Sequence, residues 1–74
     1  MTTPKKLTEA QAQVLANDWN VFIAVDKDGN VLWFTDEPGI GLVSWYIQNG
    51  FSEMLPIIID STRPWTEQIW RPEV

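Results

Sequence analysis

Cysteine and histidine are both absent from this 74-residue sequence. Without cysteine there is no disulfide to staple a small fold, no thiolate nucleophile and no sulfur ligand for zinc. Without histidine, a common general base and the other usual zinc ligand are missing too. Positive charge is scarce: five Lys and Arg stand against ten Asp and Glu, a net charge of −5. That balance disfavours phosphate backbones and anionic lipid, so neither direct nucleic-acid binding nor membrane attachment is expected. No apolar run approaches the roughly 20 residues of a membrane-spanning helix. The opening Met1-Thr2-Thr3-Pro4-Lys5-Lys6 lacks the apolar segment of a signal peptide. A small disulfide-free chain of this kind is expected in the cytoplasm.

The catalytic inventory is correspondingly thin. A nucleophile would be drawn from Ser44, Ser52, Ser61 or a threonine, with carboxylates or Lys5, Lys6 and Lys27 as bases, and no motif gathers them. Asp36 and Glu37 are adjacent and read as charges at a helix start, not as an acid–base couple, which needs two carboxylates in different environments. The expectation is a protein without enzymatic activity, cofactor or small-molecule substrate. Asp26, Asp28, Asn30 and Glu37 imitate the oxygen ligands of a calcium loop, but Val31 stands where that loop requires glycine, so no metal site is expected. Gly39-Ile40-Gly41 lacks the full glycine fingerprint and the lysine of a phosphate cradle, and the acids before it would repel an anion. Its glycines are expected to let a helix start pack closely on a sheet.

Apolar residues make up 45% of the chain and include five tryptophans. A domain this size buries only roughly 60% of the surface its unfolded chain exposes, so one domain is expected over residues 7–74 behind a flexible leader, residues 1–6. The stretch Val21–Tyr46 organises it. Val21–Val25 and Val31–Phe34 are rich in β-branched and aromatic residues and flank Asp26-Lys27-Asp28-Gly29-Asn30, which predicts a hairpin with Asp28 in a type I turn and Gly29 left-handed. Alternation places Val21, Ile23 and Val25 on one face of the first strand and Phe22 and Ala24 on the other; in the partner strand Val31 and Trp33 oppose Leu32 and Phe34. Neither face is polar, so both need cover.

Upstream, Thr8 and Gln11 form a capping-box pattern behind Leu7, and TEAQAQVLAN predicts a first helix, with Trp19 folding back to bridge it to the first strand. Downstream, Pro38 and the acids before it predict a second helix from Pro38 or Ile40 to about Asn49, ended by Gly50. Met54–Asp60 predicts a third strand, with Pro56 at an edge or bulge and a right-handed crossover setting it parallel to the second. The fold class is therefore α+β, in the order α-β-β-α-β. The tail, Trp65 to Arg71, fits either a short helix capped by Thr62 or a fourth strand.

Five indoles are more than so small a core can submerge. Trp19 and Trp33 or Trp45 are the expected core fillers. Trp65 and Trp70, beside Arg63 and Arg71 on a proline-bracketed tail, are the expected partner anchors, joined by Trp45 and Tyr46 on the broad apolar face of the second helix. The functional expectation is a small non-catalytic module that binds another protein, or itself as a homodimer. An alternative is an acidic decoy that imitates nucleic acid, of the kind some phages encode against host defence. A third is carbohydrate stacking on tryptophan, with Asn20, Gln48 and Asn49 as polar partners.

Overall fold

Asp26 closes the turn about which the main sheet is organised. Its Oδ1 accepts hydrogen bonds from the backbone N–H of Asp28 (3.1 Å) and Asn30 (3.0 Å), while Gly29 sits at φ 89°, where a Cβ would be strained. The bonding carboxylate is that of Asp26, not Asp28. The computed structural model describes residues 5–73. It begins with β1 (Lys5–Thr8), α1 (Glu9–Trp19), β2 (Phe22–Val25) and β3 (Val31–Phe34). There follow β4 (Gly39–Ile40), β5 (Trp45–Tyr46), β6 (Ser52–Leu55) and β7 (Ile57–Asp60), then a single 3-10 turn (Trp65–Glu67) and β8 (Ile69–Trp70). Among the described residues, one helix and three small sheets make this an α+β domain.

The main sheet has the order β6-β3-β2-β8, with every neighbouring pair antiparallel. Its two faces carry the side chains that period-2 alternation assigns to them. On one, Val21, Ile23, Val25 and Val31 pack with Ala12 and Ala16 of α1, with Leu7 and Ile59, and with Trp70. On the other, Ala24 and Phe34 pack with Trp45, and half-buried Trp65, Ile69 and Ile47 complete the cover. The polar helix α1 is held by its small buried alanines, which let its backbone approach the sheet.

α1 starts where its capping box puts it. Thr8 Oγ1 accepts from Gln11 N–H (3.2 Å), and Gln11 Oε1 accepts from Thr8 N–H (2.9 Å). The helix ends at Asn20, left-handed at φ 54°, whose N–H turns back to the Ala16 and Asn17 carbonyls. Trp19 therefore stays on the outer side of the last turn, 52% exposed, and does not bridge to β2.

Three expectations are corrected. Residues 38–49 do not form a helix: β4 and β5 pair antiparallel as a second hairpin, with Ile40 opposite Trp45. Two glycines and several β-branched and aromatic residues make this segment a poor helix and a good pleated ribbon. The third strand is broken at Pro56 into β6 and β7. Because no helical crossover precedes it, β6 runs antiparallel to β3, while β7 pairs in parallel with β1. Lys5 and Lys6 are thus strand residues and not leader; Met1–Pro4 and Val74 lie outside the described residues. The tail takes both of its alternatives in turn, a 3-10 turn that follows Pro64 and then a two-residue strand.

Candidate functional site

The tail residues are bound inward. Trp70 lies opposite Ile23 and is 5% exposed, part of the core under α1 and not a solvent-facing anchor. The Arg63 guanidinium lies 5.5 Å from its ring centroid and pairs with Glu9 Oε1 (2.5 Å). Arg71 Nε donates to Glu37 Oε1 (2.5 Å), and the Arg71 carbonyl accepts from Gln13 Nε2 (2.6 Å). Glu73 N–H donates to Asn17 Oδ1 (2.7 Å). Trp65 is half-buried against the second core face. These contacts lay the tail against α1 and the loop after β3, with Trp70 and half-buried Trp65 packed into the core and Arg63 and Arg71 paired at its surface.

Trp45 is also buried, at 9% exposure. Val25 N–H donates to the Gln68 carbonyl (3.1 Å), but Gln68 N–H turns to Trp65 O (3.1 Å) and does not complete that rung. The Val25 carbonyl takes its donor instead from Trp45 Nε1 (3.0 Å), which pins the β4–β5 hairpin to the main sheet. Lys27 N–H adds a bond to the Val43 carbonyl (3.1 Å), tying the hairpin to the β2–β3 turn. Of the six expected binding residues, Tyr46 alone is broadly exposed among hydrophobic side chains, its ring lying 3.2 Å from where a Cβ on Gly39 would stand.

What residue types alone did not single out is the loop this anchor presents. Gly41 N–H donates to the Ser44 carbonyl (2.8 Å), and the residues enclosed are Leu42 and Val43. Leu42 is 95% exposed; Val43, Ile40 and Tyr46 flank it in solvent. Turns ordinarily carry polar residues or glycine, so two aliphatic residues between Gly41 and Ser44 were the available signal. Beside the hairpin, Asp36 and Glu37 border a cleft of about 350 Å³ that reaches Tyr46 and Asn49. A second exposed apolar region is a groove of about 440 Å³ between α1 and the β6–β7 junction, where Val14 and Trp19 face Leu55 and Ile57.

The oxygen set that imitates a calcium loop is not gathered. Asp26 Oδ1 is bonded to turn amides and Glu37 is paired with Arg71. Among the described residues no cluster of three or more acidic side chains is positioned to hold a metal ion, and no helix is long and apolar enough to cross a membrane. Compared with known proteins, the chain matches no family model, no curated protein and no solved structure.

Proposed function

We propose that this α+β domain is a non-catalytic protein-binding module acting in the cytoplasm, and that its contact element is the hairpin loop bearing Ile40, Leu42, Val43 and Tyr46. The observation that carries this reading is Leu42, 95% exposed at the tip of a loop whose base is held by the buried Trp45. A loop whose backbone is already held by an anchor loses less conformational freedom when a partner covers it, so more of the burial of Leu42 is realised as affinity. Asp36 and Glu37 next to the hairpin favour a partner whose apolar pocket has a basic rim. The nucleic-acid-mimicking alternative draws on net charge alone, and Glu9, Glu37 and Asp60 each face a cation.

Burying a leucine side chain contributes about 1.5–3 kcal/mol. Leu42→Asp is therefore expected to weaken the complex by roughly thirtyfold or more while leaving the isolated domain folded. A photo-crosslinking residue at position 43, in the native host, is expected to capture one partner, or a second copy, saturably. Unlabelled wild-type protein should compete and the Leu42→Asp variant should not. Equal competition by both proteins, or no saturable product, would remove the reading.

A further inference from the structure

β6 ends the main sheet, and no described strand pairs with its outer side. Which of its backbone groups face outward follows from the register. Thr35 N–H donates to the Phe51 carbonyl (3.0 Å), and antiparallel pairs alternate between bonded and non-bonded rungs. Trp33–Glu53 and Val31–Leu55 are then the bonded rungs toward β3, so the N–H and C=O of Ser52 and Met54 point away from the sheet. Ser52, Glu53 and Met54 are all exposed.

Two other edges are guarded. β1 carries Lys5 and Lys6, charges of the kind that discourage strand addition. β8 is only two residues long, and the carbonyl just past it is taken by Gln13. β6 is four residues long and its one charged side chain is Glu53, with no cation in β6 or β3.

A second copy is a poor occupant, because each twofold register that uses Ser52 or Met54 carries a defect. Pairing Ser52 with Met54 of the other copy sets the two Glu53 side chains directly opposite one another, and like charges so placed repel. Pairing Met54 with Met54 puts Pro56, which has no N–H, where a donor is needed. Pairing Ser52 with Ser52 extends the ladder to Gly50, whose φ of 104° is not that of a strand.

We propose that the β6 edge accepts an extended segment of a partner protein as a fifth, antiparallel strand, with a cationic residue opposite Glu53 and an apolar residue opposite Met54. Alternation puts Glu53 on the same face as Phe51, whose ring lies 5.4 Å from that of Trp33. A cation opposite Glu53 reaches the carboxylate while its stem lies beside Phe51, and arginine suits this better than lysine because its planar head both pairs and stacks. Met54 lies on the other face, level with Leu32, and receives the neighbouring apolar side chain. This surface is separate from the hairpin loop and does not depend on the reading given to that loop.

The test is an amide titration of the isotope-labelled full chain with a blocked peptide, Thr-Val-Arg-Val-Thr. The largest shifts, and slowed hydrogen exchange, are expected at Ser52 and Met54. Replacing the peptide arginine with glutamate should weaken binding about three- to tenfold. Methylating the backbone nitrogens of both valines should abolish it. A Glu53→Arg protein should prefer the glutamate peptide, a reversal that a merely damaged fold would not produce, whereas Leu42→Asp should bind as wild type does. No shift at β6 at millimolar peptide, equal binding of the methylated peptide, or a folded Glu53→Arg protein that keeps the arginine preference would overturn the proposal.

Discussion

Trp45 bears two loads that can be separated by substitution. Its ring fills the second core face against Ala24 and Phe34, and its indole N–H supplies the donor that the Val25 carbonyl does not receive from Gln68. Trp45→Phe keeps an aromatic ring but leaves that carbonyl unpaired in a buried site, at a cost of about 1–3 kcal/mol. The smaller ring adds a void worth roughly 1 kcal/mol. The expected loss is therefore about 2–4 kcal/mol, a large share of the roughly 4–11 kcal/mol that per-residue averages allow a domain of this length. Replacing Trp45 with benzothienylalanine, which has nearly the same shape but no N–H, isolates the hydrogen bond and should lose only the first part. Urea denaturation followed by far-ultraviolet circular dichroism reads both, since changes in midpoint at constant slope report stability. Hydrogen exchange should also quicken first across residues 39–46, because the bond pins that hairpin to the sheet. A benzothienylalanine protein as stable as wild type would refute the reasoning, by showing that the Val25 carbonyl does not depend on the indole.

Trp70→Ala, at a site 5% exposed, is expected to cost about 3–5 kcal/mol and leave much of the protein unfolded in water. Denaturant melts check this, and a folded variant within about 1 kcal/mol of wild type would place Trp70 outside the core. Gly29→Val, at φ 89° with open space around the position, is expected to cost about 1–2 kcal/mol, with Asn30→Ala doing much less because the backbone of Asn30 makes its bonds to Asp26. Gly50→Ala should cost more than Gly29→Ala. Both positions have positive φ, but at Gly50 the new methyl also meets the Thr35 hydroxyl and lies 2.6 Å from Asp36 Oδ2. Equal midpoints for the two alanine variants would show that the close approach at Gly50 is absent.

The features legible in the sequence are those whose partners lie within a few residues. The Thr8–Gln11 capping box, the turn from Asp26 to Asn30 with Gly29 left-handed, and the two-faced alternation of β2 and β3 all depend on local geometry, and all are present. The α+β class follows from them. Residues 38–49 read as a helix in the sequence, because Ile40, Val43 and Ile47 satisfy a helical stripe that Leu42, Trp45 and Tyr46 widen. Contacts from elsewhere favour the ribbon: the Val25 carbonyl lacking a donor, the Lys27 amide on Val43, and the antiparallel place beside β3 that β6 occupies. β1 is likewise a strand because Ile57–Asp60 returns alongside it. Composition announced five indoles but could not rank them. α1 runs on to Trp19 and leaves that ring in water, whereas pairing with Ile23 draws Trp70 beneath the helix. The candidate binding loop stayed hidden for the same reason, since Leu42 reads as one more apolar helix residue until a hairpin, fastened from a distant strand, turns it outward.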